Sequence, residues 1–194
     1  MNRRDLMLAI LAASGGQAYT PVQIQKAAFL VVENLGGALI SEGPSFNFSA
    51  YDYGPFDRDV YVVADELREL GLADICNASG GRWKTYAPTN EGVRAGSEIL
   101  QTMAGSDRDY IQRVSVWVRR LSFAALVKSI YEAYPQMREN SIFAGQAEAA
   151  QQADQAHQAG MQGAAQDHAT NLQDSAQAAS ADMAQADQSK PAAG

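Results

Sequence analysis

The amino-acid composition changes abruptly after Phe143, and this change limits the part of the chain that can fold around a core. Residues 144–194 contain 18 Ala and 11 Gln, but one Leu, two Met and no Val, Ile, Phe, Tyr or Trp. A segment so poor in large apolar side chains buries too little surface to offset the entropy lost on ordering. We therefore expect a globular domain over residues 1–143 and an Ala/Gln-rich low-complexity tail, disordered or loosely helical, over residues 144–194.

The charge of the chain is divided unevenly between these two parts. The whole sequence carries 15 basic and 22 acidic residues, a formal net charge of −7. The tail holds six acids and one base and accounts for −5, which leaves residues 1–143 at −2. This balance disfavours non-specific binding to nucleic acid, because such binding depends on Lys and Arg side chains that neutralise phosphates.

Histidine and cysteine are scarce, which restricts the chemistry available to the folded part. Both histidines, His157 and His168, lie in the tail, and Cys76 is the only cysteine. Ser-His, Cys-His and His-metal sites therefore lack their essential side chains within residues 1–143. The paired carboxylates fall on an exposed helix face rather than in a pocket, and no phosphate-binding glycine loop occurs. We predict no enzyme activity, no metal and no cofactor.

The N-terminal residues permit two interpretations. Arg3 and Arg4 precede the apolar residues 6–13, as in a twin-arginine export signal. Residues 20–23, Thr-Pro-Val-Gln, instead begin a new helix at once with a capping box and a proline at its first position. We favour a buried first helix over export. No apolar run approaches the ~18 residues needed to cross a bilayer, so we expect a soluble protein without membrane contact.

Apolar periodicity and cap residues predict a mainly helical α+β domain. The order helix, helix, strand, helix and hairpin is that of a winged helix-turn-helix, with extra C-terminal helices packed behind it. Glycines in the loop of the small β-hairpin supply positive φ angles. The predicted helices cover residues 2–14, 21–34, 56–70 and 89–103, with two more beginning at 107 and 122, and the predicted strands cover residues 46–51, 72–76 and 83–88.

In a winged helix the third helix would enter the major groove of DNA. Residues 57–70 hold five acids and two arginines, a net charge of −3, which phosphates would repel. The hairpin tip offers Arg82, Trp83 and Lys84 as candidate nucleic-acid contacts, although a solvated tip is the simpler interpretation. We therefore disfavour DNA binding without excluding it.

Apolar side chains on otherwise polar helix faces favour a surface that binds protein. Val62, with Tyr61 at its margin, interrupts the charged face of the third helix, which also carries Asp65 and Glu66. Phe29 lies opposite the apolar stripe of the second helix, where either the C-terminal helices or a partner would cover it.

Several short motifs follow one another in a recognisable order. Residues 24–30, Ile-Gln-Lys-Ala-Ala-Phe-Leu, precede Tyr53-Gly54-Pro55-Phe56, and residues 65–72, 89–92 and 134–143 follow. Together they resemble the Panacea domain, the SocA-like antitoxin family of bacteria and phages. The family's "Leu-Gln-Lys-Leu-Leu-Tyr-Leu" helix, Tyr-Gly-Pro turn and "Leu-Thr-x-x-Gly" step correspond to the first, second and fourth motifs. Ala27-Ala28 departs from the two large apolar residues common there.

The resemblance implies a cytoplasmic antitoxin that neutralises a co-encoded toxin by direct protein contact, as in toxin–antitoxin systems of bacteria and prophages. In the Tyr-Gly-Pro turn, glycine releases the chain from the strand and proline fixes φ for the first turn of the next helix. The side chains of Tyr53 and Phe56, on either side of this corner, suit either a core or an interface position. The alternatives are a winged-helix transcriptional regulator and an adaptor that delivers a partner to a protease. The candidate partner-binding residues are Phe29, Tyr53, Phe56, Tyr61, Val62, Asp65 and Glu66.

Overall fold

Helices dominate the architecture. A computed structural model of the chain describes residues 1–77 and 83–143, and within them six α-helices and two antiparallel hairpins occur. The predicted mainly helical α+β class is confirmed, whereas the predicted tail and Arg82 lie outside the described residues. The elements are α1 (Arg3–Ala12), α2 (Pro21–Leu39), β1 (Ser49–Tyr51), β2 (Gly54–Phe56), α3 (Asp59–Glu69), β3 (Ala73–Asn77), β4 (Lys84–Pro88), α4 (Asn90–Thr102), α5 (Gly105–Arg120) and α6 (Phe123–Ala133), followed by a 3-10 turn (Pro135–Arg138).

Polar cap residues begin most of the helices close to where the sequence predicts. The side chains of Asn2 and Thr20 each close a capping box, at the starts of α1 and α2. Thr89 and Ser122 cap α4 and α6 by accepting a hydrogen bond from a backbone N–H three residues on. The predicted cap of α5 by Asp107 is wrong, because the helix already begins at Gly105 and no side chain caps it.

The second helix is longer than predicted. The sequence predicts that this helix ends at residue 34, before the stop signal Gly36-Gly37, yet α2 continues to Leu39. A glycine inside a helix costs only about 1 kcal/mol relative to alanine. The last turn of α2 brings Leu39 into the core, and burial of a leucine side chain contributes roughly 1.5–3 kcal/mol. Packing therefore outweighs the local stop signal.

The segment before α3 is a hairpin rather than a single strand followed by a turn. A strand over residues 46–51 and a turn at Tyr53-Gly54-Pro55 were expected, but β1 pairs with β2 and the turn consists of Asp52 and Tyr53. Gly54 has a φ of +93°, which glycine adopts without strain. Because β2 continues through Phe56, the third helix begins three residues later than predicted.

The first helix lies at the centre of the core. Residues 6–12 are all buried, which confirms the prediction of a buried first helix. A helix that is apolar on every side needs neighbours all round, and α1 contacts α2, α3, α4, α5 and β4.

Gly96 allows α1 and α4 to approach closely. A Cβ atom at this position would lie 2.4 Å from the Ala12 Cβ and 2.7 Å from the Leu8 carbonyl oxygen. Neither atom belongs to a flexible side chain that can move aside, so a larger residue must push the two helices apart.

We expect Gly96→Ala to lower the free energy of unfolding by about 1–3 kcal/mol, because it overpacks this helix contact. Gly105→Ala, in the first turn of α5, is the matched control. Its Cβ would meet only an Arg108 guanidinium nitrogen, at 3.8 Å, among the described residues. There alanine should be neutral or stabilising by up to about 1 kcal/mol. Urea denaturation of both variants measures the difference, and equal losses would contradict the close approach.

Candidate functional site

A largely apolar cavity of about 690 Å³ opens between the start of α2, the β1–β2 hairpin and the start of α6. This volume lies in the range of sites that bind small molecules or the side chains of a partner. Leu121 and Leu126 contribute aliphatic surface to it. Six of its sixteen lining residues are aromatic: Tyr51, Tyr53, Phe56, Tyr61, Trp83 and Phe123.

Two polar side chains of α2 hold the β1–β2 hairpin and the residue that follows it. The Gln25 amide donates to the Asp57 carbonyl oxygen at 2.9 Å and accepts from the Asp57 backbone N–H at 3.1 Å. Lys26 Nζ donates to the Pro55 carbonyl oxygen at 2.9 Å. Gln25 and Lys26 are both only 2% exposed. The buried hydrogen bond of Lys26 thus joins the Gln-Lys motif to the Tyr-Gly-Pro motif, and the two part-buried bonds of Gln25 join it to Asp57, two residues further on.

Lys26 is a buried lysine without a counterion. Among the described residues no carboxylate lies within salt-bridge distance of its Nζ, and the bond to Pro55 is its single hydrogen bond. Burial lowers the pKa of Lys26 to about 7, because the charged form loses its hydration. Helical periodicity alone places Lys26 on the polar face of the second helix, and the burial of this residue arises from the hairpin that packs against it.

Three of the predicted partner-binding residues line the cavity. Tyr53 and Phe56 flank the hairpin corner, and Tyr61 reaches the cavity from α3. The Tyr61 ring stacks on Tyr86 with 5.5 Å between centroids, and its hydroxyl donates to the Pro21 carbonyl oxygen at 3.2 Å. These contacts turn Tyr61 towards α2 and away from the outer face of α3.

The other predicted residues of the third helix lie elsewhere. Val62 is exposed on the outer face of α3, whereas Tyr61 turns towards the cavity, so the structure does not bring these two predicted residues together. Glu66 accepts two hydrogen bonds from the Arg4 guanidinium, at 2.9 and 3.1 Å. Asp65 pairs with Arg68 on its own helix.

The acidic surface of α3 is partly neutralised by the first helix. Arg3 forms an ion pair with Asp59, in addition to the pair between Arg4 and Glu66. Two of the five acids counted over residues 57–70 therefore face arginines that lie more than 50 residues away in the chain. The net charge of −3 predicted for this helix overstates the repulsion that an approaching phosphate would meet.

Phe29 is buried, which corrects its prediction as a residue of an exposed binding surface. Its ring makes edge-to-face contacts with Phe48 and Tyr134, at centroid distances of 5.4 and 4.9 Å. Of the two interpretations of this residue, the one in which C-terminal segments cover it is the correct one.

The hairpin of β3 and β4 contributes one aromatic side chain to the cavity. Trp83, predicted as a nucleic-acid contact, is strongly exposed and forms part of the cavity wall. Lys84 is exposed at the beginning of β4. The third candidate of this group, Arg82, is outside the described residues.

No model of a known protein family matches this chain, and no match to it is found among the curated proteins. The Panacea resemblance therefore stays a prediction based on the motifs. Within residues 1–77 and 83–143, no helix is long and apolar enough to cross a membrane. The same residues contain no cluster of three or more His, Cys, Asp or Glu side chains suited to a metal ion.

We expect Lys26→Met to change how the stability of the protein depends on pH. The pKa of Lys26 is about 7 in the folded state against an ordinary value of 10.5, so the unfolded chain binds more protons between these values. This lysine therefore makes the wild-type free energy of unfolding rise with pH in that window. Relative to wild type, the variant should be most stable at pH 6, and its advantage should shrink by about pH 9.5.

Urea denaturation at several pH values measures this effect. Lys128→Met is the matched control, because Lys128 is an exposed lysine on α6. A stability difference between Lys26→Met and wild type that does not vary with pH would contradict the buried, uncompensated ammonium.

Proposed function

We propose that this protein is antitoxin-like and neutralises a co-encoded toxin by direct binding, with the cavity and its rim as the binding surface. The observation that supports this surface is the exposure of large aromatic side chains at its rim. Tyr51 is 52%, Trp83 70% and Phe123 44% exposed, although such residues usually avoid water. Aromatic side chains clustered around a pocket are typical anchors of protein interfaces.

The motifs that resemble the Panacea domain support the same surface. Gln25-Lys26 and Tyr53-Gly54-Pro55 lie far apart in the chain but meet at this cavity, where Lys26 donates a hydrogen bond to the Pro55 carbonyl oxygen. Two of the five motifs on which the similarity rests therefore contribute residues to the proposed surface. We also infer that α1, α2 and α3 with the β3–β4 hairpin form a winged-helix-like core, to which α4, α5 and α6 are additions.

A DNA-binding regulator is the second candidate, and one observation favours it. The ion pairs from Arg3 and Arg4 leave α3 less negative than its own residues predict. Against it, the described part of the β3–β4 hairpin supplies a single cation, Lys84. Affinity for DNA needs several Lys or Arg side chains on one face. An adaptor that delivers its partner to a protease is the third candidate and would use the same protein-binding surface.

We expect Trp83→Ala to weaken binding to the toxin encoded beside this protein by about tenfold or more, because it removes an exposed aromatic anchor. Trp117→Ala is the matched control, since Trp117 is an exposed tryptophan on α5 outside the cavity. Val62→Glu should also bind normally, and a loss of binding there would move the interface to the outer face of α3. Calorimetry with the purified partner measures these affinities.

Co-expression with the neighbouring gene product tests the function itself. Rescue of growth together with a stable complex is the expected result. Loss of the partner protein through degradation would indicate the adaptor instead. A salt-sensitive gel shift on the protein's own promoter, without any complex or rescue, would indicate the regulator and overturn the proposal.

A further inference from the structure

Lys26 gives the cavity a chemical preference that aromatic walls alone do not provide. An ammonium group has three N–H donors, and the structure pairs one of them, with the Pro55 carbonyl oxygen. The other charged residue of the wall is Asp52, at the turn between β1 and β2, and it forms no ion pair with Lys26. A buried cation without a counterion is unfavourable by itself and is stabilised by an anion placed beside it.

We propose that the cavity binds a segment of the partner protein in which an acidic side chain adjoins a large apolar one. The carboxylate accepts hydrogen bonds from Lys26 Nζ, and the apolar side chain packs among the aromatic rings of the wall. This inference rests on the proposed function, because it takes the occupant to be a polypeptide. It adds the chemical character of the segment that binds.

The shape of the cavity suits such a pair of side chains. Lys26 is nearly inaccessible to solvent, whereas Trp83 and Phe123 lie at the exposed rim. Tyr53 and Tyr61 line the space as well. A volume of about 690 Å³ accommodates a ligand of drug size, and therefore two neighbouring side chains. An entering segment can thus bury its apolar group against the rings while its carboxylate reaches the lysine.

The remaining titratable groups near Lys26 modify this preference without reversing it. Burial raises the pKa of Tyr61 and the pKa of Tyr131, so both phenols stay neutral near pH 7. The carboxylate of Asp57 already accepts hydrogen bonds from the backbone N–H groups of Asn47 and Asp59. Asp52 is the one wall residue that repels an incoming acid. Asp52, Tyr53 and Tyr61 line the same cavity as Lys26, Tyr131 and Lys26 both lie within 4 Å of a Cβ built at Gly54, and Asp57 is bound by the neighbouring Gln25.

Two capped dipeptides that differ in a single functional group test the proposal. Acetyl-Phe-Glu-amide carries the acid beside an aromatic ring, and acetyl-Phe-Gln-amide is its neutral isostere. In NMR titrations of the full chain, the Glu peptide should bind more tightly and shift the backbone amide signals of Tyr53 and Gly54. This comparison uses the wild-type protein, so it does not depend on the folding of any variant.

Substitutions in the wall should then act in opposite directions. Lys26→Met should weaken binding of the Glu peptide about ten- to hundredfold and that of the Gln peptide much less, because it removes a hydrogen bond to a charged group. Asp52→Asn should strengthen binding of the Glu peptide, since it removes a like charge. Thermal melting of both variants establishes that they are folded.

The affinity for the Glu peptide should also depend on pH with a defined sign. The carboxylate binds the ammonium form of Lys26, and burial lowers the pKa of this group to about 7 in the empty cavity. Above that value binding requires uptake of a proton, so the wild-type affinity should fall up to about tenfold per pH unit. The Lys26→Met variant should lack this decrease.

The possible failures separate this inference from the proposed function. The proposal that an acidic segment binds in the cavity is overturned if the two peptides bind equally well. It is also overturned if Lys26→Met does not change the affinity for the Glu peptide. A toxin complex that tolerates Lys26→Met but is weakened by Trp83→Ala also overturns it, while the proposed function stands. Preferential binding of the Glu peptide without any toxin complex supports the site and contradicts the proposed function.

Discussion

Three hydrogen bonds between α2 and the segment of the β1–β2 hairpin, one of them buried and two part-buried, determine the shape of the candidate site. Gln25 and Lys26 bind the backbone of Pro55 and Asp57, and this attachment places the β1–β2 hairpin beside the start of α2. These bonds are at least partly shielded from water, where a backbone group without a hydrogen-bond partner is costly. The aromatic residues of the hairpin therefore stay at the cavity rather than joining the core that α1 organises.

The same attachment leaves one charge without compensation. Burial of the ammonium group beside a single carbonyl oxygen costs desolvation free energy, which one hydrogen bond offsets only in part. Unfavourable buried charges are concentrated at sites that bind ligands, where a partner supplies the missing interaction. The structural role of Lys26 in holding Pro55 and its proposed role in binding a carboxylate are compatible, because one ammonium group donates three hydrogen bonds.

The surface charge of α3 illustrates how the tertiary structure changes an argument from sequence. Its acids suggested a helix that DNA would repel, but Arg3 and Arg4 compensate Asp59 and Glu66 across the contact between α1 and α3. These pairs are partly exposed, so each contributes only about 0–1 kcal/mol to stability. Their importance lies in the electrostatic field, and the case for a protein-binding surface rests on the exposed rings at the cavity instead.

The sequence alone determined the features that depend on neighbours a few residues away. Thr20 and Thr89 begin their helices as expected, because a cap is a hydrogen bond that closes within three residues. Features that depend on distant segments were decided by the tertiary structure. Phe29 is buried because Tyr134 covers it, and Lys26 is buried because the hairpin closes over it. Burial is a property of two surfaces that meet, and the periodicity of one helix describes only its own.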